Sequence, residues 1–182
     1  IQPDEWTYHG EAQYFTIHDY GDLDYSTDLP PPVENRYWGH IWHRQSVPVV
    51  GLFDFELSKL SDRAFLGEYF ATVAKEEKEQ ENLVYWQRNA RDNLALTGLY
   101  KVRLNDFQSQ TERIPEGKLF VLQEPVLRTG LYTDLALQAA YLHVLPDDDL
   151  LLPKRGYGRY DVLNEWSYPR NSLGLSRIGG VR

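Results

Sequence analysis

Alternation of apolar and polar residues predicts strands in the middle of the chain. Phe53, Phe55 and Leu57 alternate with acidic residues, a period of two that is typical of a strand with one buried face. The segment 94–104 repeats this pattern, with leucines and a tyrosine on one side and polar residues on the other. A further strand is predicted at 118–123, because a Pro-Glu-Gly turn precedes it.

The spacing of apolar residues changes after Ser61, a suitable N-cap, and from there predicts a helix. Apolar positions recur three and four residues apart, and they resume beyond a charged run, so one long helix is expected over about 62–92. The segment 133–145 fits either a helix or a strand. The sequence therefore predicts an α+β fold: a small, mainly antiparallel sheet with one long helix and extended N- and C-terminal arms.

Charge is distributed unevenly along the chain. Residues 1–35 contain eight carboxylates and no Lys or Arg, so this segment accounts for the whole formal net charge of −8. The segment 154–182 has six basic and two acidic side chains, a local balance of +4. The pattern indicates an acidic N-terminal end, a nearly neutral middle and a basic C-terminal end.

Both ends combine charge with many aromatic residues. We therefore expect an acidic, aromatic-rich extended arm at 1–48, an α+β body at 49–153 and a basic extended tail at 154–182. Tyr, Trp and Arg contribute most of the binding energy at protein interfaces. The aromatic residues of the two arms are accordingly the predicted interface anchors: Trp6, Tyr8, Trp38, Trp42, Trp166 and Tyr168.

Two histidines three residues apart raise the question of a metal site. On a helix, His40 and His43 would share one face and could bind one ion. A site needs further ligands, and the sequence has no HExxH motif. Packing of the two imidazole rings among the neighbouring tryptophans is the simpler interpretation. The sequence predicts no cofactor, and this pair is the metal candidate.

Composition restricts the functional classes. The chain has no Cys, so it has neither disulfides nor a thiolate nucleophile, and it carries no nucleotide-binding or serine-hydrolase motif. An enzyme is not favoured. A pI near 5.1 argues against nucleic-acid binding except through the basic tail.

No apolar run reaches the roughly 18 residues of a membrane helix, so the expectation is a soluble or peripheral protein without a direct membrane span. The sequence does not identify the compartment. A start at Ile1 would suit a processed mature chain after removal of a targeting peptide.

These observations lead to one main functional hypothesis and two alternatives. The main hypothesis is a non-catalytic structural or accessory subunit of a large multi-protein assembly, which docks through its arms to other protein subunits. The first alternative is a carbohydrate-binding β-domain or small glycan-acting enzyme, in which exposed aromatic rings stack on sugars. The second alternative is a His-dependent metalloenzyme that uses His40 and His43.

Overall fold

The protein is a single antiparallel sheet of nine strands with two short helices. The computed structural model describes residues 5–20, 34–75, 80–148, 152–172 and 175–181, with side chains as far as residue 169. Every strand pairs with its neighbours in the sequence, in the order β1 to β9. The strands are β1 (Thr7–His18), β2 (Asn35–Val47), β3 (Gly51–Leu60), β4 (Leu83–Arg91), β5 (Leu94–Lys101), β6 (Gln110–Pro125), β7 (Tyr132–Leu145), β8 (Arg155–Ser172) and β9 (Leu175–Val181).

The predicted α+β fold with a long helix over 62–92 is wrong. That range contains only α1 (Phe65–Tyr69) and α2 (Ala71–Lys75), and then the strand β4; residues 76–79 lie outside the described part. Leu83, Trp86 and Ala90 have helical spacing, but the β4 segment pairs with β3 and β5 on its two sides. Two sets of strand hydrogen bonds outweigh a weak local preference for helix.

The predicted extended arms are also corrected, because their residues belong to the sheet. The N-terminal segment supplies β1 and β2, whereas the C-terminal segment supplies β8 and β9. The ambiguous segment 133–145 falls in the strand β7. Aromatic and β-branched residues are frequent in these segments and suit a pleated, half-buried surface.

An aromatic core lies between the helices and the first strands. Trp38, Leu60 and Phe65 are buried together. The ring of Phe15 stacks on that of Trp38 with centroids 5.7 Å apart, and Phe70 packs edge-on against the same indole at 5.2 Å. The indole Nε1 of Trp38 donates a hydrogen bond to Ser58 Oγ at 3.1 Å. Both helices therefore cover the side of the sheet on which Trp38 lies.

A buried arginine ties this core to the strand β2. The guanidinium of Arg36 is fully buried and donates to Asp62, to Glu68 at 2.6 Å and to Asp19 at 3.2 Å. Burial disfavours its charge, but the hydrogen bonds to Asp62, Glu68 and Asp19 outweigh that effect and raise the pKa of Arg36 above its usual range. Arg36 thus remains a cation in the interior.

Candidate functional site

Strand register divides the sheet into two faces of opposite character. Cross-strand partners lie on the same face, and successive residues lie on opposite faces. One row of partners runs from Leu96 through Leu119 and Leu137 to Val162. The next row along the strands runs from Leu94 through Val121 and Leu135. We call this side the apolar face, defined by Val84, Trp86, Leu94, Leu96, Tyr100, Leu119, Val121, Leu135, Leu137, Ala139, Tyr141, Tyr160, Val162 and Trp166.

We call the opposite side the polar face, after its polar residues Arg44, Asp54, Glu56, Gln87, Arg113, Glu116, Lys118, Gln138, Arg159 and Asp161; it also carries one apolar row, Ala95, Phe120, Ala136 and Leu163. Arg44 forms two hydrogen bonds with Asp54 across β2 and β3, at 2.6 and 2.9 Å. Glu116 is buried and accepts hydrogen bonds from Arg113 at 3.2 Å and from Gln138 at 3.1 Å. Its other oxygen lies 3.2 Å from Lys118 Nζ. The charges of this face neutralise one another locally.

Most of the buried side chains are polar or charged, and many large apolar side chains are exposed. Among the described residues, twelve buried side chains are polar or charged and only six are hydrophobic, whereas twenty-two large hydrophobic side chains are exposed. Val162 on the apolar face is 72% exposed and Tyr160 is 81% exposed, while Glu116 on the polar face is 5% exposed. Two carboxylates, Glu56 and Glu116, are thus buried on the polar face, although its arginines are exposed, and large apolar side chains are exposed on the apolar face. A large exposed apolar surface indicates an interaction site.

The apolar face is banded along the strand direction. Aliphatic side chains form most of the middle, where Trp86 and Tyr160 share the row of Gly98 and Ala139. Tyr100 and Tyr141 lie at one end and Trp166 at the other. Polar pairs bound the band on the same face. His143 Nδ1 lies 3.1 Å from Glu112 Oε2 beyond the tyrosines, and Asn164 donates to Thr133 at 3.0 Å beside Trp166.

The strand β7 gives the length of the apolar band along the strand direction. Nine residues of β7 separate Thr133 from His143, and a strand crosses the hydrocarbon core of a bilayer in about 9–11 residues. Arg88 also lies on this face, opposite Leu96, and is half-buried. Arg88 is at the β4 end of the central row of the band, which continues through Leu96, Leu119 and Leu137.

Both edge strands have one side without a partner strand in the described part of the chain. β1 pairs with β2 and β9 pairs with β8, and the sheet order begins and ends with these two strands. An edge strand presents a row of backbone N–H and C=O groups that can pair with another strand. The sheet therefore has two potential sites of strand addition in addition to its apolar face.

The predicted interface anchors occupy different environments. Trp6 and Tyr8 are exposed at the β1 edge, and Trp166 and Tyr168 are about half-exposed on β8. Trp38, by contrast, is only 5% exposed in the aromatic core. Trp42 lies on the polar face, with His9 edge-on to its ring at 5.2 Å and the Arg44 guanidinium over it at 5.9 Å. The structure does not bring the six residues together at one surface.

The two histidines of the metal candidate are not brought together either. They lie in the strand β2, three residues apart, so their side chains leave opposite faces of the sheet. His40 Nε2 lies 3.7 Å from Glu56 on the polar face, whereas His43 pairs with Phe55 on the apolar side. Within the described residues, no three His, Asp or Glu side chains form a group that could hold a metal ion.

Apart from Trp166, the residues of the apolar face are not among the site residues predicted from the sequence. Their signal was present in 133–145, where Leu135, Leu137, Ala139 and Tyr141 alternate with other residues. The spacing of the same residues also fits a helix, so the alternation alone does not identify a strand. Even a correct strand prediction would have assigned these leucines to the interior, because apolar side chains are normally buried.

Comparisons with protein-family models, with curated proteins and with solved structures found no match to this chain. In the portion of the chain that the structure describes, no helix has both the length and the apolar character needed to cross a membrane.

Proposed function

We propose that the chain is a non-catalytic structural component of a larger assembly, and that its apolar face lies against the hydrocarbon of a lipid bilayer. The observation that carries this proposal is the exposure of the apolar face: Leu137, Val162 and Tyr160 are exposed there, while Glu56 and Glu116 are buried on the polar face. In water this arrangement exposes a large apolar surface, which is unfavourable. Against hydrocarbon the same arrangement is favourable.

The banding of the apolar face supports a lipid rather than a protein contact. Trp and Tyr concentrate where hydrocarbon meets the polar headgroups, because their rings are apolar and their N–H or O–H groups are polar. Tyr141 and Trp166 lie at the two ends of the aliphatic band in that manner. A protein interface would not require aromatic residues at both ends or a band of membrane height.

The unpaired outer sides of β1 and β9 support the proposal that the chain is part of an assembly. Unpaired backbone groups cannot be exposed to hydrocarbon, because each costs several kcal/mol there. The outer sides of β1 and β9 therefore need partner strands from neighbouring polypeptide. The sequence predicted that the arms dock to protein partners. We propose that the two edge strands, β1 and β9, form these contacts. The polar face then meets water or the polar groups of the assembly.

The two other hypotheses from the sequence have less support. A carbohydrate site needs hydrogen-bonding side chains beside its aromatic rings, whereas the neighbours of Tyr160 on the apolar face are Ala139 and Val162. The carbohydrate hypothesis stays a prediction that a glycan titration would test. The His-dependent enzyme lacks the shared histidine face on which it was based.

The test uses two neighbouring residues of β8 that lie on opposite faces. Val162 is 72% exposed on the apolar face and Leu163 is 59% exposed on the other. Because the chain has no Cys, Val162→Cys and Leu163→Cys each place a single thiol in it, and each can carry a bimane fluorophore. The labelled full-length chains are mixed with phosphatidylcholine vesicles that contain brominated acyl chains. We expect strong quenching at position 162 and little at position 163.

Leu163→Cys is the matched control, since it has the same label, strand and exposure class. Equal quenching at both positions would indicate adsorption without orientation and would contradict the proposal. Absence of quenching at both positions, with shielding of position 162 only after a protein partner is added, would favour a purely protein interface.

A further inference from the structure

The apolar face contains a groove near the β1 edge. A cavity of about 390 Å³ lies over β1, β2 and β3, and its apolar lining includes Ala12, Gly39, Ile41, Leu57 and Leu104. Small residues form its floor: Ala12 pairs with Ile41, and Gly39 pairs with Tyr14. The volume falls within the range of about 300–1,000 Å³ that is usual for small-molecule sites.

A lysine lies at one end of this groove. Lys59 pairs with Gly39 across β2 and β3, so its side chain leaves the same face of the sheet. Its Nζ donates to the carbonyl oxygen of Leu104. Other lysines are neutralised by carboxylates: Lys101 by Glu81 and Lys118 by Glu116. Among the described residues, by contrast, no carboxylate lies within salt-bridge distance of Lys59.

Lys59 lies beyond the end of the aliphatic band that the tyrosines mark. Phe55 pairs with Val84, and Val84 pairs with Tyr100 in the tyrosine row at the end of the band. Lys59 follows Phe55 by four residues, which is about 13 Å along a strand. The ammonium group is thus outside the aliphatic band, on the side where lipid headgroups would lie.

From this geometry we infer that the groove binds an amphiphile with one acyl chain and an anionic headgroup. The first part of the acyl chain lies over Ala12, Ile41 and Leu57, from where the chain continues past Phe55 into the aliphatic band, and the carboxylate or phosphate of the headgroup contacts Lys59 Nζ. Charge complementarity selects an anion, because the lining is apolar and its one formal charge is positive. This inference rests on the proposed function, since it takes the ligand from the bilayer that covers the apolar face.

The test compares a spin-labelled stearic acid with its methyl ester, which has the same chain and no charge. Each probe is added to the full chain in phosphatidylcholine vesicles, and electron paramagnetic resonance measures the fraction of probe whose motion the protein restricts. We expect the ionised acid to be selected over the ester about fivefold, the effect of one lysine near a lipid surface. Lys59→Met should abolish the selection, whereas Lys75→Met, which removes a lysine at the end of α2, should preserve it.

The groove itself is tested with Ala12→Phe, which should reduce the restricted fraction of both probes because the ring fills the space above Ile41. Restriction of both probes to the same extent, or selection that survives Lys59→Met, would overturn the inference but leave the proposed function intact. If the wild-type protein restricts neither probe, the proposed function fails and the inference fails with it.

Discussion

Arg36 and Asp62 form two parallel hydrogen bonds in the interior of the protein, Nε to Oδ2 at 3.0 Å and Nη2 to Oδ1 at 2.8 Å. Asp62 is itself only 4% exposed, and the backbone N–H of Ala64 donates to the same carboxylate at 3.1 Å. The pair joins β2 to the segment that leads into α1. Position and orientation of the helices over the aromatic core therefore depend on a buried ion pair.

Replacement of Arg36 by Met should destabilise the protein by about 3–5 kcal/mol, because Asp62 and Asp19 would be left as buried carboxylates without their cation. The measurement is urea unfolding followed by the fluorescence of the tryptophans. Arg44→Met is the control: that arginine also has a bidentate aspartate partner but is largely exposed, so a loss of about 0–1 kcal/mol is expected. Similar losses in both variants would contradict the assigned role of Arg36.

Gly51 is required at the start of β3 for steric and backbone reasons. Its φ is +124°, and a Cβ at this position would lie 2.2 Å from the carbonyl oxygen of Gln87. Gly51→Ala should therefore lower the free energy of unfolding by about 1–3 kcal/mol. Gly117→Ala is the matched control, because a Cβ there meets no atom within 4 Å, and it should be neutral or slightly stabilising. Thermal unfolding of both variants measures this difference in stability, and equal stability of the two would contradict the requirement for Gly51.

The two faces of the sheet should respond differently to a new charge. Leu137→Arg places a cation within the aliphatic band, and in the presence of vesicles it should weaken binding by about 2–4 kcal/mol. Leu163→Arg introduces the same residue on the other face and should leave binding nearly unchanged. Flotation of each variant with phosphatidylcholine vesicles measures the bound fraction. Equal loss in both variants would mean that the contact with lipid does not distinguish the faces.

The exposed carboxylate of Asp148 should make a small, pH-dependent contribution to stability. The hydrogen bond from Arg103, and after it that from Lys154, lower the pKa of Asp148 below the ordinary value of 3.8 for an aspartate. A lowered pKa in the folded state stabilises the protein above the unfolded pKa, and this contribution is lost as the pH falls through the folded value. Wild type should therefore have a higher urea midpoint than Asp148→Asn at neutral pH.

The difference in urea midpoint should narrow below pH 3.8 and vanish in stronger acid. Urea titrations of both proteins at several pH values measure it. A difference that persists unchanged in strong acid would show that the asparagine acts through packing and not through the charge of the carboxylate.

Local pattern was sufficient for several strands. The alternation of Phe53, Phe55 and Leu57 predicted β3, and the leucines of 94–104 predicted β5, because a period of two is imposed by the pleat of a single strand. The long helix was wrong for the converse reason. Leu83, Trp86 and Ala90 satisfy helical spacing locally, but pairing with two neighbouring strands, which the spacing cannot reveal, determines the conformation of β4.

The site could not be predicted in the same way. Alternation along a strand is a local property, so the side chains that share a face follow from the sequence alone. Which face is shielded depends instead on where α1 and α2 pack and on how Glu116 and its partners neutralise one another across β6 and β7. Leu137 is apolar whichever face is shielded, and the tertiary structure leaves it exposed.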